Sequence, residues 1–332
     1  MRRIAVAASN LAREIRTMFK KHWGFGDDDN SLILFADGDA GLFADPSAGA
    51  LPTLVYSDPG PGPLTISDTQ TNEIGGSSYF DDGLVYGGQS YDYRATRTDT
   101  LSTWNGGFFA DDSLSTQRSS SSWLGSLGFS EYAANNVSTY NDTSAFSAGG
   151  NLDVNTLAIA SSQDLLYENF GSVSYASEHD ATNGQRTTLD LSPSGLFSDV
   201  DRFGSKFDST SVVEPGLKEN STASSSYDVN RWLSANGTEL TTGISITKNT
   251  SFSDSLVFGQ ESIAYGGSAS VSKTMTDTFT PTGNQIAFSE HDSNSSFYDM
   301  ATPSGSIGSF NFSSHNETLT VTHGTPFQNQ KG

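Results

Sequence analysis

The chain of 332 residues contains no cysteine. That excludes a disulfide framework, zinc–thiolate coordination and a cysteine nucleophile together. It has no apolar run near the roughly 18 residues that a membrane-spanning helix needs. Hydrophobic residues make up only 34% of the chain, too few for a large rounded core. Basic residues are also scarce: 17 Lys and Arg stand against 38 Asp and Glu, a net charge of −21. Six of the 17 fall in residues 1–24, with a single acid, Glu14. The rest of the chain therefore carries 11 basic and 37 acidic residues. Such a surface repels phosphate backbones, which argues against nucleic-acid binding.

Catalytic signatures are missing too. The sequence holds no P-loop, no G-x-S-x-G elbow and no H-E-x-x-H. No G-x-G-x-x-G follows a strand pattern, and the five histidines (22, 179, 291, 315 and 323) lack metal-ligand spacing. The tetrapeptide Ser-Glu-His-Asp occurs twice, at Ser177–Asp180 and Ser289–Asp292. A metal or acid–base site needs convergence of distant groups, so the duplication reads as a repeat, with His179 and His291 at equivalent polar turns.

What is present divides into four stretches. In residues 1–24, Ile4, Ala8, Leu11, Ile15, Met18 and Phe19 recur at spacings of three and four. Strong helix formers surround them, and Gly24 and Gly26 supply a stop, so an amphipathic helix is predicted. Two roles stand for it. It caps the end of a β-core, or it docks on a membrane or acidic partner through Arg2, Arg3, Arg13, Arg16, Lys20 and Lys21. The opening apolar run is too short, and charge follows it too soon, for a conventional signal peptide.

Residues 25–63 form an acidic, Gly/Pro-rich connector that ends in Asp-Pro-Gly-Pro-Gly-Pro at 58–63. Its carboxylates sit on glycine turns as hard cations require, and Asp37 and Asp39 are the candidate Ca2+ ligands. Solvated acidic turns are the competing account of the same residues.

From residue 64 to 326 polar and apolar residues alternate, as in 242–254 and 309–322. Period two with Thr, Tyr, Phe and Val predicts half-buried strands. Glycines recur at about 22 residues, in the series Gly87, Gly106, Gly125, Gly149, Gly171, Gly195, Gly216, Gly237, Gly259, Gly283, Gly305 and Gly324. A period of 20–50 residues marks stacked or arrayed units. Each unit is expected to hold two or three strands of four to six residues, sharing a slender apolar interior with its neighbours. The predicted fold is all-β and elongated, a β-solenoid-like or stacked β-hairpin architecture with the N-terminal helix as cap; a β-sandwich is the alternative. Residues 327–332 form a tail.

The units at 87–100, 170–184 and 308–325, with Tyr91-Asp92 and Tyr227-Asp228, resemble the long Ser/Thr/Gly-rich repeat proteins of planctomycete-type bacteria and their tyrosine–aspartate repeats. That resemblance implies a secreted or surface-associated protein. Composition and repeat together favour a non-catalytic structural or adhesive protein of a cell surface, extracellular fibre or virion. Its expected partners are copies of itself, and in addition glycans or a membrane. A carbohydrate-binding or carbohydrate-degrading protein is the alternative. It would need two carboxylates about 5–10 Å apart and exposed tryptophans such as Trp104, Trp123 or Trp232.

Overall fold

A computed structural model of the chain describes residues 64–324. The predicted helix, the connector and the tail lie outside the described residues. Within them the chain forms β1 (Leu64–Asp81), β2 (Val85–Trp104), β3 (Gly107–Ser126), β4 (Phe129–Ala148), β5 (Asn151–Phe170) and β6 (Val173–Ser192). It continues with β7 (Gly195–Glu214), β8 (Leu217–Asn236), β9 (Leu240–Phe258), β10 (Glu261–Thr280), β11 (Gly283–Thr302) and β12 (Gly305–Gly324). Spatial order equals sequence order, so the twelve strands make one antiparallel up-and-down sheet. The all-β, repetitive expectation holds, in its stacked-hairpin form.

The period is 22 residues, as expected, but its content differs. Gly107, Phe129 and Asn151 open successive strands 22 residues apart. Each unit is one 20-residue strand with a two-residue turn, not several short strands. Such turns demand a backbone twist that matches the flanking strands. Gly149 and Gly150 meet that demand with φ of 63° and 85°, values that a Cβ strongly disfavours. Two connections are longer and are fastened by side chains. Asp82 Oδ1 accepts the amides of Leu84 and Val85 at 2.9 and 2.7 Å, and these bonds hold its pKa below the ordinary aspartate value. Asn236 Oδ1 accepts the amides of Thr238 and Glu239 at 2.9 Å each.

Pairing runs level across the sheet. Phe108 faces Ser147, which faces Leu152, then Leu191, then Leu196. No strand is staggered on its neighbour. Residues in one such row share a face, because side chains alternate along each strand.

The predicted shared interior is absent from the described residues. They form a single layer, and Ala95 is the one buried hydrophobic residue among them. Alternation did signal two faces, but neither is packed on a second layer. Cohesion comes from the backbone ladders and from cross-strand side-chain pairs, each worth about 0.2–1 kcal/mol. Hydroxyl pairs are numerous: Thr116–Thr139 at 2.6 Å, Ser138–Ser161 at 2.7 Å, Ser90–Ser121 at 2.9 Å.

Aromatic rings supply the larger contacts, and they lie over glycines. Trp123 covers Gly88, Tyr86 covers Gly125, Phe203 covers Gly184, Tyr227 covers Gly204, Trp232 covers Gly243 and Phe297 covers Gly266. Each pair is directly opposite in the register. The ring occupies the space that a Cβ would need, so it buries one side against backbone in a sheet that has no core.

Candidate functional site

Asp37 and Asp39, and the basic set Arg2, Arg3, Arg13, Arg16, Lys20 and Lys21, lie outside the described residues. Among the described residues no group of three or more His, Asp or Glu is placed to hold a metal ion.

The two Ser-Glu-His-Asp stretches fall inside β6 and β11, not in turns. They are also not equivalent, since β6 and β11 run in opposite directions and His179 and His291 stand on opposite faces. His179 Nδ1 bonds Asp208 on β7, and His291 Nδ1 bonds Asn316 on β12. The His179 contact, with Lys206 Nζ at 3.3 Å, holds the Asp208 carboxyl below its usual range. Each histidine is used in a cross-strand pair. The spacing of 112 residues between the two stretches is not a multiple of 22, which was the available warning.

Acid pairs do occur between neighbouring strands. Asp99 and Asp112 are directly opposite on β2 and β3. Arg97 sits beside both, with Nε 3.2 Å from Asp99 and Nη2 2.7 Å from Asp112. Burial raises the Asp112 carboxyl, its bond to Asp99 adds to the shift, and Arg97 opposes it. Asp111 is raised by burial and then by Asp142 across the ladder. Asp201 is raised by burial and then by Asp228, with Arg186 opposing. These pairs are scattered over three places and both faces. Trp104, Trp123 and Trp232 share one face but stand in separate rows, each over its own glycine: Gly107, Gly88 and Gly243.

The feature that spans most strands was not singled out from sequence. Ser138, Ser161, Thr182, Ser205, Ser226, Asn249, Ser270, Ser293 and Ser314 form one straight row from β4 to β12. On β6 to β10 this row and the next line a shallow open trough of about 640 Å³, with Asp180, Phe207, Ser224, Ser251 and Ser268 beside it. The hydroxyls bond one another: Ser224 to Ser251 at 2.7 Å, Ser270 to Asn249 Oδ1 at 2.7 Å, Asn249 Nδ2 to Ser226 at 3.3 Å. Such a floor offers hydrogen bonds to a polar ligand. A serine nucleophile would in addition need an adjacent base, whereas these serines are engaged with other hydroxyls and an amide. The signal in the sequence was the spacing: small hydroxylated residues placed symmetrically about successive turns.

No family model and no curated protein matches the chain. Among solved structures, the ferric yersiniabactin uptake receptor FyuA from Yersinia pestis aligns at 9% identity and a TM-score of 0.32. The alignment covers 75% of this chain and 60% of that one, and a likeness this loose carries no argument. None of the described residues forms a helix long and apolar enough to cross a membrane.

Proposed function

We propose that this chain is a non-catalytic structural or adhesive protein of a cell surface, an extracellular fibre or a virion, which works by presenting and extending a β-sheet. One observation carries it: the sheet repeats a single 22-residue unit, and many of its hydroxyl and amide side chains pair with their neighbours across strands. A catalytic centre concentrates unlike groups at one place. Here the polar side chains are spread evenly, and redundancy of this kind suits extension. Dilution-series sedimentation with electron microscopy tests the proposal. Particles that grow with concentration are expected, and a monomer at every concentration would overturn it.

The trough on β6 to β10 favours one second reading, glycan binding. Its row of hydroxyl and amide groups has the donor and acceptor pattern that a polyol chain requires. Retention on immobilised polysaccharides that is lost on Ser226→Leu with Ser270→Leu would support that reading. Retention unchanged by both would remove it.

A further inference from the structure

We infer that the sheet continues from one molecule into the next, with β12 of one copy pairing antiparallel with β1 of another, in the same level register used inside the chain. This rests on the assembling role proposed above and names the contact.

Among the described residues β1 and β12 each have one strand partner, and their outer edges are unpaired. Natural edge strands are blunted by Lys, Pro, bulges or shortness. The 18 residues of β1 and the 20 of β12 contain no Lys, Arg or Pro. The number of strands is even, so a copy translated along the sheet sets its β1 antiparallel to β12.

The glycines fix the register. Away from strand ends, each glycine of the sheet faces an aromatic residue across a strand pair, except Gly75 in β1 and Gly308 in β12. Both exceptions lie in edge strands. Their present opposite residues are Asp92 and Asp299. Following the level rows across all twelve strands, Gly75 comes level with Phe312, and Tyr79 comes level with Gly308. Continuing the sheet without stagger therefore supplies both orphan glycines with a ring from the neighbouring copy.

The rings concerned are more exposed than those already seated. Tyr79 and Phe312 are each 65% exposed, against 36% for Trp123 and 40% for Tyr227. In the same register Thr65, Ser67 and Thr69 meet Thr322, Thr320 and Thr318, which extends hydroxyl pairing already present between Ser67 and Thr100 at 3.2 Å. No like charges fall directly opposite. Asp68 and Glu317 lie two rows apart on one face, as diagonal neighbours, so salt should promote the contact by screening them.

Closure of one chain on itself would use the same pairs. A closed barrel, however, requires strand tilt and a staggered register, and the rows here are level. A head-to-tail contact that does not close on itself grows into a filament.

The absence of cysteine gives a clean test on the full chain. Directly opposed residues have Cα atoms about 4.5–5.5 Å apart, within the roughly 4.4–6.8 Å that a disulfide spans. Two double variants place a pair on either face: Thr69→Cys with Thr318→Cys, and Asn72→Cys with His315→Cys. Thr69→Cys with Thr322→Cys is a control displaced by four residues. After oxidation, a ladder of covalent multimers from at least one level pair and none from the control is expected. A cross-linked monomer would overturn the inference in favour of ring closure. Particles that still grow without cross-links would overturn this contact and leave the assembling role standing. Neither particles nor cross-links would remove both, and an edge covered by residues 1–63 gives that same outcome.

Discussion

Trp232 lies where a Cβ on Gly243 would be, and this inverts the usual effect of replacing glycine. In a strand interior Gly→Ala ordinarily stabilises by about 0.5–1 kcal/mol. Gly243→Ala must push the indole off the backbone, so a loss of about 1–3 kcal/mol is expected. Gly308→Ala meets its nearest side-chain atom, Asp299 Oδ1, at 3.4 Å, and should leave the stability of the isolated chain unchanged or slightly improved. Urea midpoints of the two variants at low protein concentration check the contrast. Asp111 offers a second test. Its carboxyl is held above the usual value by burial, with Asp142 beside it adding to the shift. The folded protein thus keeps that proton more tightly than the unfolded chain, so the pair costs stability as pH rises through the aspartate range. Asp142→Asn should raise stability by about 0.5 kcal/mol at pH 7, with the gain gone below about pH 3. Urea titrations at the two pH values check it.

At the scale of the element, the turns keep the strands level. Gly128 has φ of 83°, and Gly128→Ala should cost about 1 kcal/mol, read from the denaturant midpoint. The turn spacing was legible in the sequence because glycines at 106, 149, 171, 216 and 259 sit in turns, although Gly87 and Gly125 of the same series lie inside β2 and β3. Strand length was not legible. Gly87-Gly88 in β2, Gly184 in β6 and Gly266-Gly267 in β10 look like breaks between short strands, yet each lies inside a long one. They mark where a ring from the next strand comes down, a signal visible only once glycine and aromatic positions are compared about a common turn. The same misreading put His179 and His291 in turns. Their true settings depend on Asp208 and Asn316, which are distant in sequence and become neighbours only through the register.

For the whole sheet, each strand is hydrogen-bonded through its backbone only to its sequence neighbours, so stability should behave approximately as a sum over units. Removal of residues 151–194, two units, joins β4 to β7 with direction and faces preserved. The shortened chain should fold, with an m-value lower by roughly a sixth. Removal of residues 151–172 alone turns β6–β12 over relative to β1–β4, so the new β4–β6 junction alone loses its matched cross-strand partners, and this chain should have a lower denaturant midpoint than the two-unit deletion. Circular dichroism and urea titration of both deletions distinguish the outcomes. The all-β class and the period were readable because they are local properties of the chain. The missing interior was not, since alternation looks the same whether one face is covered or both are wet.

The two-residue turns carry a last consequence for biosynthesis. Because every pairing joins a strand to the one made just before it, no segment has to wait for a distant partner to leave the ribosome. Each strand can zip onto its predecessor as it emerges, so the nascent chain would always end in one fresh adhesive border. Neighbouring ribosomes on one message would then hold such borders close together, at the moment when joining between molecules is easiest to start.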